Sequence, residues 1–172
     1  MESGPGFRAG GAHCPMRLTR HTDYAFRALI YLGLLEKEQL ATIGNIATDY
    51  GISRNHLMKV IQKLVQSGYV HSVRGKFGGV CLRLPPGEVR LGAVARVTES
   101  HERMLDCRDD NCPLSSECPL QDAMDEAMDA FFLALDRYTL EDMLAQPERL
   151  AALVGMDGRG LPVRVRRHVA GH

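Results

Sequence analysis

The sequence predicts a mainly α-helical protein with one small β-hairpin, built as a winged helix-turn-helix domain followed by a long dimerisation helix. Two short capped helical segments are joined by a tight turn that contains glycine. A pair of β-prone runs with a basic, glycine-rich tip follows them. Beyond these lies an amphipathic helical pattern that opens at Pro119.

The predicted boundaries divide the chain into five parts. They are a disordered leader at 1–15, a winged helix-turn-helix domain at 16–100 with its helix-turn-helix at about 43–66 and its wing at about 69–84, a cysteine-bearing loop at 101–118, a dimerisation helix at 119–146 and a flexible basic tail at 147–172. The leader is rich in glycine and proline, so we expect Met16 to be the true start and Cys14 to be a thiol without a role.

The composition is that of a soluble protein with enough apolar material for a core, since 45% of the 172 residues are hydrophobic and 24% are charged. No stretch approaches the roughly 18 consecutive apolar residues of a membrane helix, and we find no signal peptide. An odd number of cysteines, five, argues against a disulfide framework. We therefore expect a cytoplasmic protein whose clustered thiols bind a metal or take part in redox chemistry.

The helix-turn-helix prediction rests on hydrophobic spacing and on signals at the helix ends. Apolar residues at helical spacing predict a first helix from Thr22 to about Leu35 and a second from Ile43 to Tyr50. A third helix is predicted to place four apolar residues inward: Leu57, Val60, Ile61 and Leu64. Capping residues and glycines mark the ends of the second and third helices: Thr42, Gly51, Ser53 and Gly68.

The wing is predicted from a change of period after the third helix. Two β-prone runs, 69–73 and 80–84, flank the basic and glycine-rich segment 74–79, which is typical of a hairpin. Cys81, on the second strand, is expected to be a small buried hydrophobe. A further helix is predicted from Leu91 to Val97, before the cysteine-bearing loop.

The formal net charge of zero hides two regions of opposite charge. Residues 52–79 contain five Lys or Arg and no Asp or Glu, whereas residues 99–129 contain two basic and ten acidic residues. A block of one sign beside a block of the other indicates two surfaces with different tasks. The acid-free basic surface suits the phosphates of a nucleic acid.

The third helix and the wing carry the side chains that we expect to contact double-stranded DNA. Near the start of the helix, Arg54 suits bidentate bonding to guanine and Asn55 suits adenine. The lysines and the wing cations would lie nearer phosphates or the minor groove. The predicted DNA-contacting residues are Ser53, Arg54, Asn55, His56, Lys59, Lys63, Arg74 and Lys76. The alternative is that these are solvated groups on an ordinary pair of helices.

The helix after Pro119 has an apolar seam close to a heptad repeat, with acidic residues on the other face. The seam residues are Leu120, Met124, Ala127, Phe131 and Leu135. This pattern predicts that the helix packs against its counterpart in a second chain and so forms a homodimer. The alternative is a core helix within one chain.

Three cysteines form a triplet with the spacing C-x4-C-x5-C: Cys107, Cys112 and Cys118. Thiolates are soft ligands for iron and zinc. Cys118 directly precedes Pro119, so the positive end of a helix dipole would favour its thiolate. Three thiolates are one short of the four that iron-sulfur clusters and closed zinc sites use, so a ligand is missing. Reduced thiols without a metal, or a stray disulfide, remain the alternative.

Three segments and the cysteine triplet are similar to a known family. The segments run from Met16 to Leu32, from Tyr50 to Val60 and from Gly68 to Gly79. They resemble the Rrf2 family of winged-helix regulators, over about residues 16–144. Within the family, the motifs are most similar to those of nitric-oxide-sensitive repressors.

The resemblance implies a homodimer with one iron-sulfur cluster per subunit, of the 4Fe-4S or the 2Fe-2S type, on the cysteine triplet. It also implies a fourth ligand, Asp23, supplied by the first helix of the partner subunit, with Arg27 one helical turn on to orient it. Family members that regulate iron-sulfur biogenesis have a histidine three residues after the third cysteine. This chain has Gln121 there, which counts against that branch.

The function implied by the resemblance is a repressor that releases the operators of nitrosative-stress defence genes when nitric oxide reaches its cluster. A carboxylate is a harder and weaker partner for cluster iron than a thiolate, which leaves one iron open to nitric oxide. Two alternatives remain: a related regulator that responds to iron supply or redox state, and a metal-binding or electron-transfer module without a DNA role. We do not expect an enzyme, because the sequence has no nucleophile-base pair or catalytic metal signature.

Overall fold

The computed structural model describes residues 18–36, 39–99 and 118–156. The predicted leader, most of the predicted cysteine-bearing loop and the end of the predicted tail lie outside these residues. So do three of the five cysteines: Cys14, Cys107 and Cys112.

The described residues form seven α-helices, one short 3-10 helix and a two-stranded antiparallel sheet, which confirms the predicted fold class. The helices are α1 (Arg20–Leu34), α2 (Ile43–Asp49), α3 (Arg54–Gln66), α4 (Leu91–Thr98), α5 (Pro119–Leu135), α6 (Leu140–Met143) and α7 (Pro147–Leu153). The strands are β1 (Val70–Val73) and β2 (Gly79–Leu82), and the 3-10 helix is Pro86–Glu88.

Helix α1 begins two residues before the predicted start, with Thr19 as its N-cap. The Thr22 backbone N–H donates to the Thr19 hydroxyl at 3.3 Å. The Thr22 side chain is completely buried instead, where its hydroxyl is hydrogen-bonded to that of Thr98 at 2.9 Å. Helix α1 is thereby fixed against α4 as well as against α3.

Helix α2 has the predicted signals at both ends. The Asn45 N–H donates to the Thr42 hydroxyl at 3.1 Å, which confirms Thr42 as the cap of α2. Gly51 follows that helix with φ of 63°, a left-handed conformation that favours glycine. Ser53 occupies the N-cap position of α3, but its side chain makes no capping hydrogen bond with the described residues.

The core lies between α1 and α3 and is closed by α2, the hairpin, α4 and α6. Its fully buried side chains include the inward residues predicted for the third helix. The largest of them are Leu29, Ile46, Leu57, Leu64 and Leu140. These elements together form the unit that carries α3, and we call this unit, α1 to α4 with the hairpin, α6 and α7, the body.

The wing is the predicted hairpin, with shorter strands than expected. Val70 pairs with Leu82 and Val73 pairs with Gly79. Ala41, which precedes α2, adds a bridge to the outer side of β2: its N–H donates to the Val80 carbonyl at 3.0 Å and the Val80 N–H donates back at 2.8 Å. The hairpin is therefore held on one edge by the residue that precedes α2.

The C-terminal part differs from the prediction of one helix over 119–146 and a flexible tail from 147. Helix α5 ends at Leu135, and the chain then returns to the body, where the Leu140 N–H donates to the Val89 carbonyl at 2.9 Å. Pro147 opens a further helix, α7. Three residues from that end are buried in the core, which is why this segment is structured: Ala151, Val154 and Met156.

Candidate nucleic-acid interface and metal site

The outer face of α3 is solvent-exposed and free of acidic residues. The inner face packs Leu57, Val60, Ile61 and Leu64 into the core, so the remaining positions point outward. All six residues that were predicted to contact DNA from this helix and its N-cap are exposed: Ser53, Arg54, Asn55, His56, Lys59 and Lys63. The arrangement leaves donors near the helix N-terminus and cations further along it, as a helix in a major groove requires.

The wing places its two predicted cations at the exposed end of the hairpin. Arg74 directly follows β1, and Lys76 lies in the turn between the strands. Between Lys76 and the glycine pair stands Phe77, which the sequence interpretation missed as a site residue. The sequence could have identified Phe77, because an aromatic residue at the tip of an acid-free hairpin has no core to enter.

Asp23 and Arg27 form the contact that was expected between them. The Arg27 Nε donates to Asp23 Oδ1 at 2.9 Å, and its Nη2 lies 2.9 Å from Asp23 Oδ2. Both side chains are nearly half exposed, at 44% for Arg27 and 43% for Asp23. The bidentate geometry holds the carboxylate in one orientation at the surface of α1.

Arg27 also contacts the end of α2. Its guanidinium lies 6.0 Å from the centroid of the Tyr50 ring, the residue just before the turn of the helix-turn-helix. Burial raises the pKa of the Tyr50 phenol to about 12, although the charge of Arg27 acts in the opposite direction. The same guanidinium therefore contacts the predicted fourth ligand and the element that precedes α3.

Cys118 is the one member of the cysteine triplet among the described residues. It is the N-cap of α5, is partly exposed and has no disulfide partner. The described ranges 18–36, 39–99 and 118–156 bring no three His, Cys, Asp or Glu side chains together as a metal site. A partly exposed thiol at a helix N-terminus nevertheless fits the donor chemistry of an iron-sulfur cluster, because that position favours the thiolate.

The chain enters the cysteine-bearing segment from a fixed point. Glu99, the C-cap of α4, accepts a hydrogen bond from the Thr19 backbone N–H at 2.9 Å. It also accepts one from the Thr19 hydroxyl at 3.3 Å. The residue before the segment is thus tied to the start of α1, four residues from Asp23, a contact between distant parts of the chain that the sequence pattern did not indicate.

Helix α5 packs on α4 along one side and leaves another side uncovered by the described residues. The Arg96 guanidinium lies 5.1 Å from the Phe132 ring, and its Nη1 lies 2.7 Å from Asp136 Oδ2. Met124, Phe131 and Leu135 of the predicted seam are only half-buried within the chain. The uncovered side carries Leu120, at 60% exposure, and four exposed alanines: Ala123, Ala127, Ala130 and Ala134.

Comparison with known proteins gives a family match over most of the chain. A family model described as Rrf2, iron-dependent transcriptional regulator, matches residues 18–146. The chain belongs to the Rrf2 family. The HTH-type transcriptional regulator NsrR of Bacillus subtilis (strain 168) is 41% identical over 144 residues, which are 82% of this chain and 99% of that relative.

Solved structures agree with the family match. A crystal structure of Staphylococcus aureus CymR is similar with a TM-score of 0.58 and 27% identity, over 74% of this chain and 97% of that one. The T. potens IscR structure has a TM-score of 0.60 at 24% identity, over 78% of this chain and 90% of that one, and shows the fold alone. This Rrf2 protein is therefore a winged-helix transcriptional regulator and not an enzyme. No helix among its described residues is long and apolar enough to cross a membrane.

Proposed function

We propose that this chain is a cytoplasmic, homodimeric repressor that binds operator DNA through α3 and the wing and releases it when nitric oxide reaches an iron-sulfur cluster. The observation that carries the proposal is the placement of Asp23. Its carboxylate is held at the surface by Arg27, which also contacts the end of α2, the helix directly before the DNA-facing residues of α3. The 41% identity to NsrR supports the same function.

The DNA-binding part of the proposal follows from charge and exposure. Every outward position from Ser53 to Lys63 that was predicted to contact DNA is exposed, and Arg74 and Lys76 add positive charge beside them. No acidic side chain occurs between residues 52 and 79 to repel phosphates. In this arrangement Arg54 and Asn55 contact base edges, while the lysines and the wing cations contact the backbone or the minor groove.

The cluster would be held by the cysteine triplet and by Asp23 of the partner subunit. When bound, it supplies an iron that is less tightly held by the carboxylate than by thiolates and is open to nitric oxide. The chain's own residues do the rest. Arg27 fixes the orientation of the carboxylate, and the helix N-terminus at Cys118 favours its thiolate.

The homodimer follows from the uncovered side of α5. Alanine side chains let two helix backbones approach closely, and a stripe of four at spacings of four, three and four residues continues along the helix. Leu120 is 60% exposed on the same side. An apolar face of this length on a soluble protein indicates a partner surface, and a second copy of α5 provides one that matches by symmetry.

The test compares two cysteine variants of the protein purified without oxygen. Cys118→Ala should lose the visible absorbance of the cluster and operator binding together. Cys81→Ala is the matched control, because Cys81 is a partly buried thiol on β2, outside the triplet, and it should keep both properties. A Cys118→Ala protein that kept its absorbance and its operator affinity would refute the assignment of the cluster.

A mixing experiment tests whether Asp23 acts across the dimer. If the cysteines of one chain and Asp23 of the other share a site, a heterodimer of Asp23→Asn and Cys118→Ala chains regains one complete site. Each homodimer has none. Recovery of about half of the wild-type cluster spectrum in the heterodimer is expected, and no recovery would place Asp23 and the cysteines in the same chain. An Asp23→Asn homodimer that kept its cluster would place Asp23 outside the site.

A second candidate signal is iron supply or redox state, because the matched family model is described as iron-dependent. Titrating the cluster-bound protein with nitric oxide, with peroxide and with an iron chelator separates the candidates. Release of operator DNA at the lowest equivalents of nitric oxide supports the proposal, and release by chelator or peroxide alone favours the alternative.

A further inference from the structure

The tip of the wing is a tight turn that holds two adjacent residues outward. The Gly78 N–H donates to the Gly75 carbonyl at 3.0 Å, which closes a four-residue turn with Lys76 and Phe77 at its centre. Phe77 is 88% exposed, more than any other large apolar side chain among the described residues. An exposed aromatic ring at the end of a hairpin has no folding role, because it buries nothing.

The conformation of the turn requires glycine at two positions. A Cβ at Gly78 would collide with the Val73 carbonyl, and Gly75 adopts φ of 121°, a conformation closed to most other residues. The strands behind it are anchored by the buried side chains of Val70 and Val80. The turn and the paired strands therefore hold the Phe77 ring outward at the end of the hairpin.

The surroundings of Phe77 indicate the chemistry of its partner. The Lys76 ammonium lies 5.7 Å from the centroid of the ring. Arg74 lies two residues before Lys76 in the same exposed turn region. No acidic residue occurs from 52 to 79. A flat apolar ring beside cations suits duplex DNA. The ring can contact the stacked bases, and the cations can contact the phosphates on either side of them.

We propose that Phe77 is a wedge that enters the minor groove beside the α3 site and partly unstacks one base step, which bends the operator. The inference rests on the proposed DNA-binding role of α3. Phenylalanine is among the side chains that act as such wedges, and the minor groove is too narrow for a helix but admits a hairpin tip. Lys76 then neutralises a phosphate next to the opened step.

The wedge supplies specificity at a step that no side chain reads by hydrogen bonding. Pyrimidine–purine steps such as TA and CA/TG unstack easily, whereas A-tracts are stiff. Operators with a flexible step under the wing are therefore preferred over operators with a stiff one. The preference depends on Phe77 and not on Arg54, which contacts bases in the major groove in the proposed complex.

The test uses the full-length protein purified without oxygen and a duplex that it selects from a random library. Fluorescence anisotropy measures affinity, energy transfer between end labels measures bending, and 2-aminopurine at successive steps reports unstacking. Phe77→Ala should lower affinity about tenfold, since one base–aromatic contact contributes roughly 1–3 kcal/mol. It should also reduce the bend and abolish the 2-aminopurine signal at one step. Phe77→Leu should keep most of the bend, because leucine is also a wedge.

Matched controls separate this inference from the proposed function. Leu153→Ala removes an apolar side chain that is 75% exposed on α7 and should change none of the readouts. Replacing the flexible step by a stiff A-tract should weaken the wild type but not Phe77→Ala. Arg54→Ala should lose affinity and keep its sensitivity to that replacement.

Several outcomes would overturn the wedge. One is a Phe77→Ala protein with wild-type affinity and bending. Another is a loss of affinity in Phe77→Ala when the wild type itself shows no unstacking. A Phe77→Ala protein that binds and bends DNA normally but fails to bind another protein would assign the ring to a protein surface instead. If the wedge fails while Arg54→Ala still loses affinity, the proposed function stands. If neither variant changes DNA binding, both proposals fail.

Discussion

The body buries its large apolar side chains within one chain, whereas α5 leaves some of its own exposed. In the body, Leu29 and Leu57 are completely buried, and α6 and α7 return to cover the same core. In α5, Leu120 and Leu133 are 60% and 62% exposed, and Gln121 is its one buried residue among those described. A unit that covers its own core is complete as one chain. A helix that leaves its apolar side uncovered by the described residues offers a surface for the second chain of the proposed dimer.

The two predicted kinds of cluster ligand divide between these regions. Asp23 lies on α1 of the body, whereas Cys118 is the N-cap of α5. In the proposed dimer, a site shared by Asp23 of one chain and the cysteines of the other would connect the body of one subunit to the α5 end of its partner. Within one chain, the two regions are joined where Arg96 contacts Asp136. We call this contact the joint.

The largest effect is expected where the body closes its core. Leu140 is 1% exposed, so Leu140→Ala should lower the free energy of unfolding by about 2–5 kcal/mol, as large-to-small core substitutions do. Leu133→Ala on α5 is the matched control, because 62% of that side chain is already exposed. Urea titration of both variants at low protein concentration measures the difference. Equal losses would show that α6 and α5 belong to one core.

The proposed dimer should be most sensitive at the centre of the alanine stripe. Ala127→Arg introduces a charge twice into a symmetric interface, and the dimer dissociation constant should rise by about 100-fold or more. Arginine is a good helix former, so α5 itself should persist. Asp129→Arg is the control, since two residues along a helix lies on the far side. Sedimentation equilibrium measures both, and an unchanged dimer in Ala127→Arg would exclude this face as the interface.

The joint between the two regions should respond at an intermediate level. A Cβ at Gly92 of α4 would collide with the Phe132 carbonyl and the Asp136 carboxylate of α5. Gly92→Ala should therefore destabilise the fold by about 1–3 kcal/mol through overpacking. Gly44→Ala places the same methyl group 3.6 Å from its nearest neighbour, the Thr42 hydroxyl, and should be neutral or stabilising by up to about 1 kcal/mol. Thermal unfolding of the pair decides, and a neutral Gly92→Ala would mean that α5 can move away from α4 without loss.

Local signals made the body predictable, and distant contacts limited the prediction elsewhere. Thr42 and Gly51 identify the ends of α2 within a few residues of sequence, and exposure of the α3 side chains follows from the same helical spacing. The start of α1 was predicted two residues late because it was placed by apolar spacing alone, whereas the helix is capped by Thr19. The return of the chain after α5 depends on the pairing of Leu140 with Val89, which no local pattern encodes.

The candidate site was predictable to the same extent. The exposed cations of α3 and the wing follow from a run without acids, and the pairing of Arg27 with Asp23 follows from their spacing of four residues on one helix. The link from Glu99 to Thr19 joins positions 80 residues apart and could not be read from spacing. Phe77 was overlooked because only the cations of the segment 74–79 were considered as DNA contacts, although its place in the turn keeps its ring out of the core.

The smallest effect is a loss of stability at alkaline pH, and it concerns the body alone. Burial raises the pKa of Tyr50 to about 12 from an ordinary value of 10.0. Because the folded state holds this proton more tightly than the unfolded state, the stability is fully present below pH 10 and is lost as the pH rises toward 12. Tyr50→Phe removes the titrating group, so its free energy of unfolding should fall less than that of the wild type across this window. Urea titrations at successive pH values measure both, with Tyr138→Phe as the control for loss of a phenol from an exposed position. An identical decline in the wild type and in Tyr50→Phe would mean that the ring ionises in the folded body as readily as in the unfolded chain.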